Sequence, residues 1–289
     1  MIMENTIAKY INVNGHLLDL AYPRVMGILN VTPDSFYSGS RKQTEEEIID
    51  RCKQIMDEGG SIIDLGAYSS RPNADNISPE EEMNRLRKAL QVINQHFPNA
   101  ILSVDTFRAD VAKMCVEEYG VAMINDIAAG MMDHQMFTTV AKLGIPDIMM
   151  HMQGTPQDMQ INPHYENILK EVLYYFSEKV QRLRDLGAKD LILDPGFGFG
   201  KTVAHNYELM ERMNEFAIFE LPILVGVSRK SMIYKLLGGG PEDALNGTSV
   251  LNTIALSKGA NILRVHDVKE AVEVVKIFAS LKGMEEPEF

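Results

Sequence analysis

Short, nearly continuous apolar runs alternate along this chain with longer stretches in which apolar residues recur every three or four positions. The runs occupy residues 25–30, 61–65, 101–105, 122–125, 147–150, 191–194, 223–226 and 262–265. Strands buried on both faces read as continuous apolar runs, and parallel strands need crossovers of the kind the helical stretches supply. Eight such strand-plus-helix units predict an α/β fold, a closed (β/α)8 or TIM barrel. Upstream, residues 7–13 and 16–20 form two apolar-rich segments around Asn14-Gly15, a dipeptide that favours the type I′ turn of a hairpin. The hairpin, within residues 1–22, is expected to cover the amino-terminal mouth of the barrel. Ser78 followed by Pro79-Glu80-Glu81-Glu82 predicts a capped helix start, and Gly187 predicts the end of a helix over 168–186. No linker or composition shift divides the chain, so residues 1–289 are expected to form one domain.

Composition narrows the partners. The 28 Lys and Arg against 40 Asp and Glu give a formal charge of −12, which repels nucleic acid and anionic membranes at long range. A small anion still fits wherever cations are focused locally. With 45% hydrophobic and 24% charged residues the chain reads as globular rather than disordered. Cys52 and Cys115 lie in amphipathic stretches without a C-x-x-C or Cys/His pattern and read as reduced core thiols. No basic region followed by an apolar stretch opens the chain, and no run is long enough to span a membrane, so a cytoplasmic location is expected.

In an α/β barrel the chemistry sits at the carboxyl ends of the strands. Those ends carry Asn30, Asp64, Asp105, Asn125-Asp126, His151, Asp194, Ser228-Arg229-Lys230, Arg264 and His266. Any one of them is ordinarily a turn or cap residue. Eight polar strand ends on one rim point to a ligand site instead. Carboxylates and amides suit a ligand displaying N–H donors and carbonyl acceptors, and the cations suit a phosphate. A polar heterocycle bearing a phosphate or diphosphate uses both sets. No H-x-H follows the first run, and His134, His151, His164, His205 and His266 lack ligand spacing, so a protein-held zinc is not expected. Asn30 or Asp34 could help hold a Mg²⁺ that arrives with a diphosphate. The glycine-rich stretch 196–201 lacks Walker spacing and reads as a rigid turn presenting Asp194 and Lys201 to a ligand.

Several loops carry a resemblance. Met26-Gly27-Ile28-Leu29-Asn30-Val31-Thr32-Pro33-Asp34-Ser35-Phe36 and Asp64 followed by Ser69-Ser70-Arg71-Pro72 resemble the two signatures of the dihydropteroate synthases. Ser103-Val104-Asp105-Thr106, Ile124-Asn125-Asp126-Ile127 and Met150-His151-Met152-Gln153-Gly154-Thr155-Pro156 add to it. So do Asp194-Pro195-Gly196-Phe197-Gly198-Phe199-Gly200-Lys201, Gly226-Val227-Ser228-Arg229-Lys230-Ser231 and Arg264-Val265-His266-Asp267-Val268. The matches fall in order, one per strand, over most of the chain.

The resemblance implies a barrel enzyme that condenses 6-hydroxymethyl-7,8-dihydropterin diphosphate with p-aminobenzoate. It implies pterin contacts at Asp64, Asp105, Asn125, Met152, Asp194, Phe199, Lys230 and Arg264. Diphosphate contacts follow at Asn30, Ser70, Arg71, Arg264 and His266, with Mg²⁺ near Asn30. The p-aminobenzoate pocket falls to Thr32, Pro33, Phe36, Ser70, Arg71, Pro72, Lys230 and Ser231, where sulfonamides would compete. Asp105, Lys230, Arg264 and Asn30 are the implied catalytic set, Asp105 stabilising a cationic methylene, and a homodimer through the late helices is implied as well. Where the family has Gly-Gly-Glu-Ser-Thr-Arg-Pro-Gly, this chain has Gly66-Ala67-Tyr68-Ser69-Ser70-Arg71-Pro72-Asn73, a change expected to alter loop motion. The alternatives are a pterin-binding methyltransferase, which has no use for Phe36, Arg71 and Lys230, and a pterin-binding homologue without turnover.

Overall fold

The computed structural model describes residues 10–31, 45–68 and 77–287. Two strands, β1 (Tyr10–Val13) and β2 (His16–Asp19), form an antiparallel hairpin with Ile11 opposite Leu18. Asn14 and Gly15 both take positive φ, 52° and 84°, as a type I′ turn requires. The barrel follows with strands and helices alternating, apart from a second helix before the last strand: β3 (Arg24–Asn30), α1 (Glu45–Asp57), β4 (Ile62–Gly66), α2 (Pro79–His96), β5 (Leu102–Asp105), α3 (Ala109–Tyr119), β6 (Met123–Asp126), α4 (Met136–Leu143) and β7 (Asp147–Met150). It continues through α5 (Ile168–Asp185), β8 (Leu191–Asp194), α6 (Val203–Glu211), β9 (Leu224–Val225), α7 (Ser231–Leu237), α8 (Leu245–Ser257), β10 (Ile262–Val265) and α9 (Val268–Lys282).

Strands β8-β7-β6-β5-β4-β3-β10-β9 pair in that order, all parallel, and a bridge from Leu193 to Ile223 joins the two ends. The expected barrel and hairpin are therefore present, with strand ends shifted by a residue or two. The seventh run pairs over only two residues because the chain leaves the ladder at Gly226. There a Cβ would stand 3.7 Å from the Lys230 ammonium and 3.8 Å from Arg264 Cβ. Helix signals hold as well: Ser78 Oγ accepts the Glu81 N–H at 3.2 Å, and Gly187 turns away from α5 at φ 91°.

Period-two alternation sorts each strand into two faces. Val25, Leu29, Ile63, Leu65, Val104, Ile124, Met149 and Leu263 face the helices. Met26, Ile62, Met123, Ile148, Ile192, Leu224 and Ile262 face inward and pack with Ile11, Val13, Leu18 and Leu20 of the hairpin. The hairpin and the strand beginnings thus share one apolar floor. Two residues farther along, the inward positions become Asp64, Asn125, Asp194 and Arg264. Cys52 and Cys115 are buried in the helical layer, and burial pushes the Cys52 thiol up to about 12. Among the described residues no helix is long and apolar enough to cross a membrane.

Candidate active site

Above the apolar floor, Arg264 reaches across the barrel to two acids. Its Nε donates to Asp64 Oδ2 at 2.6 Å and its Nη2 to Asp105 Oδ2 at 2.9 Å. Asn125 Nδ2 donates to the same Asp64 oxygen at 3.0 Å. The other oxygen of Asp64, the amide oxygen of Asn125 and the hydroxyl of Ser103, which stands beside Asp64 in the strand register, are buried with no partner. A buried acceptor left without a donor costs about 1–3 kcal/mol; Asp147 and Asn252 have such atoms elsewhere in the fold, but these three share the inward face of the barrel, where N–H groups brought by a ligand would offset that cost. Burial, reinforced by Asp64 and opposed by Arg264, pushes the Asp105 carboxyl up to about 7.

Asp194 closes β8 and is also buried. One of its oxygens accepts the Gly196 N–H at 2.8 Å. Burial raises its pKa while Lys230 opposes the rise. Lys230 lies over the Phe199 ring, 4.7 Å from its centroid, and donates to the Phe197 carbonyl at 2.6 Å. It crosses Gly198, where a Cβ would sit 3.2 Å from Lys230 Cδ. Burial pulls the Lys230 ammonium down to about 8, with Asp194 holding it up. Met152 and Phe199 belong to an apolar group with Phe107, Ile127, Met150 and Met159, a wall suited to the face of a flat heterocycle.

At the end of β3, Asn30 pairs in register with Gly66. A Cβ on Gly66 would stand 3.0 Å from Asn30 Oδ1 and 3.6 Å from Asp105 Cβ, so the glycine leaves room for both to approach. His266 Nδ1 lies 3.1 Å from Ser228 Oγ. Its ring is exposed at the rim, and partial desolvation together with the neighbouring Arg264 guanidinium lowers its pKa. Ser231, the first residue of α7, lines a recess of about 250 Å³ with Lys201, Thr202, Asn206 and Lys235. Thr32, Pro33, Asp34, Phe36, Ser70, Arg71 and Pro72 lie outside the described residues, as do Ser69 and Asn73.

Other polar rim residues turn elsewhere. Lys201, expected to face a ligand, spends its ammonium inside the β8 loop: it donates to the carbonyls of Gly196 (2.9 Å), Phe199 (3.0 Å) and His151 (3.2 Å) and meets His151 Nδ1 at 2.9 Å. His151 packs edge-on against Tyr175, centroids 4.8 Å apart. Arg229 is held by both oxygens of Asp267 at 2.8 Å. Asp126 follows inward-facing Asn125 and so points outward, accepting the N–H groups of Ala128 and Gly130. Two contributors went unmarked in the sequence. Ser103 lies two residues before Asp105, so strand alternation could have found it. Arg51 on α1 donates to the carbonyls of Ile28 at 3.2 Å and His266 at 2.7 Å, and nothing local signals that. Among the described residues no three His, Cys, Asp or Glu side chains come together as a metal cage.

Known proteins share the sequence and the fold of this chain. The family model described as "Pterin binding enzyme" matches residues 26–266, from β3 to the residue after β10. The chain is 44% identical over 265 residues to the dihydropteroate synthase of Escherichia coli, covering 91% of this chain and 93% of that one. It is 39% identical over 267 residues to that of Haemophilus influenzae, covering 92% and 96%. The Yersinia pestis dihydropteroate synthase solved with a sulfonamide drug complex shares the fold at a TM-score of 0.89 and 39% identity, over 95% of this chain and 99% of that one. The Thermus thermophilus enzyme in complex with 4-aminobenzoate does so at 0.84 and 32%, over 94% and 99%. Matches that span nine-tenths of the sequence, with the barrel fold in common, place this chain in the dihydropteroate synthase family of pterin-binding enzymes.

Proposed function

We propose that this chain joins 6-hydroxymethyl-7,8-dihydropterin diphosphate to p-aminobenzoate, releasing 7,8-dihydropteroate and diphosphate on the route to folate. The observation that carries the reading is the set of buried acceptors without partners around Asp64, Asn125 and Ser103. A pterin brings N–H donors to such a floor and a flat face to the Met152–Phe199 wall. Asp194 accepts from the amino-pyrimidine edge, Asn125 and Lys230 meet the ring's other polar atoms, and Arg264 stacks on the ring.

The methylene carbon loses its bond to the diphosphate oxygen, which departs with the electron pair. The nitrogen lone pair of p-aminobenzoate forms the new C–N bond, and the amine then gives its proton to solvent. Asp105, once ionised, sits where it stabilises a cationic methylene. Arg264, Arg71, Ser70, Asn30 and His266 hold the diphosphate, and positioning with electrostatics supplies the rate. Thr32, Pro33, Phe36, Pro72 and Ser231, with Lys230, form the p-aminobenzoate pocket, where a sulfonamide competes.

Asn30 offers a neutral oxygen at the rim, and the described residues hold no carboxylate cage. That donor set fits a Mg²⁺ that keeps water and diphosphate oxygens as its main ligands. When bound, Mg²⁺ neutralises charge growing on the leaving diphosphate. The whole chain acts as one domain in the cytoplasm. Leu236, Leu237, Val250, Ile277 and Leu281 expose apolar surface on α7–α9, which supports a homodimer through the late helices.

The test is direct. Purified protein is mixed with the pterin diphosphate, p-aminobenzoate and Mg²⁺, with controls lacking each, and both products are followed. Formation of both, dependent on all three and blocked by a sulfonamide, is expected. Pterin binding without turnover would overturn the reading in favour of a methyltransferase or a non-catalytic homologue.

A further inference from the structure

Behind Asp105 lies a polar cluster to which the reaction assigns no role. Glu82, on the first turn of α2, is fully buried. Its carboxylate accepts the Thr106 hydroxyl at 2.7 Å and forms an ion pair with Arg108. Thr106 is the residue after Asp105, and its N–H donates to the Asn125 carbonyl at 3.2 Å. Arg108 reaches further among the described residues. Its Nη2 donates to the Ile77 carbonyl at 2.7 Å, and its guanidinium covers the rings of Tyr68, 5.4 Å away, and Phe107, 4.9 Å away. Tyr68 and Phe107 meet edge to face at 5.1 Å, and Gln157 donates to the Tyr68 hydroxyl at 3.1 Å.

Tyr68 and Ile77 are the two described residues that bracket residues 69–76 in sequence. We propose that Arg108, seated on Glu82, is a positioning residue: it fixes both of these anchor points against the end of β5, beside Asp105. A planar guanidinium suits the task, because one group can pair with a carboxylate, donate to a carbonyl and stack on a ring at once. Tyr68 stands where the family motif has Glu, and in this chain it gives Arg108 an aromatic face to cover. The inference rests on the proposed function, in which Ser70, Arg71 and Pro72 serve the diphosphate and p-aminobenzoate while the pterin ring is bound lower in the barrel.

The experiment separates positioning from general damage. Arg108→Met alone leaves Glu82 buried without its partner, so the main variant is the charge-neutral double change Glu82→Gln with Arg108→Met; Tyr68→Ala is a second, independent one. KM for p-aminobenzoate and kcat are measured, and calorimetry follows binding of 6-hydroxymethylpterin, which lacks the diphosphate. Each variant is expected to raise KM for p-aminobenzoate by about tenfold, as misplacement remote from the chemistry does, with a clearly smaller loss of bare-pterin affinity, because only Thr106 and Phe107 connect the cluster to Asn125 and the apolar wall. Unchanged KM in Tyr68→Ala and in a folded double variant would overturn the proposal. So would an equal loss of bare-pterin affinity, which marks simple structural damage. If the double variant does not fold, Tyr68→Ala decides alone. A wild-type protein that forms no dihydropteroate sinks the functional reading itself, and that shows before any variant is compared.

Discussion

Arg264 is the one side chain in the described rim that binds Asp64 and Asp105 at once. Its fork spans two strands, and a lysine ammonium is a point charge that cannot reproduce both contacts. Arg264→Lys is therefore expected to lower kcat/KM about tenfold, the loss of one charge-assisted bond worth about 1.4 kcal/mol, in steady-state assays; a near-normal rate would mean that the second contact is idle. Asp105 carries a pH prediction. Its carboxyl, pushed up to about 7 chiefly by burial, must lose its proton to stabilise a cation, so activity falls as pH drops below about 7. The slope of log kcat/KM should approach one per pH unit below that point, and Asp105→Asn, though slow, should lack the limb. A wild-type profile flat down to pH 5 would contradict the assigned role.

Single strands and loops show why some of the rim does not serve the ligand. The turn after β8 crowds its own backbone: a Cβ on Gly196 would collide with the His151 carbonyl oxygen, so only glycine, at φ 69°, fits. Lys201 then bonds the carbonyls that this turn leaves pointing inward. Lys201→Met keeps the length and removes the donors, so it should destabilise the fold by about 2–4 kcal/mol, measured by urea denaturation; a change under about 0.5 kcal/mol would mean water takes over the carbonyls. Asp64, Asp105, Asn125, Asp194 and Arg264 were legible in the sequence because polar residues closing apolar runs violate the pattern of a buried strand. Lys201, His151 and Arg229 were not separable from them, since what each side chain meets depends on partners as much as 50 residues away. Asp126 could have been set apart from Asn125, because neighbours on a strand face opposite sides. Glu82 read only as part of a capped helix start, and only the fold reveals that Arg108, 26 residues on, has it as a buried partner.

At the scale of the whole molecule the barrel is stacked in layers that divide stability from chemistry. From Ile262 to Arg264 the strand climbs about 7 Å, and within that rise the inward face passes from a hydrocarbon floor to paired charges. The hairpin closes the floor, with Ile11 almost fully buried among the strand beginnings. Nothing at the floor touches Asp64, Asn125 or Asp194 by hydrogen bond. Ile11→Ala should therefore cost about 2–4 kcal/mol of unfolding free energy through the cavity it leaves, while the folded protein keeps its affinity for pterin within about twofold, because distant and independent sites add. Denaturation and calorimetry on the same preparation give both numbers. If pterin affinity falls along with stability, the floor is a mechanical part of the site and its layers are coupled; if it holds, the hairpin serves only to seal a barrel whose working end is the opposite rim.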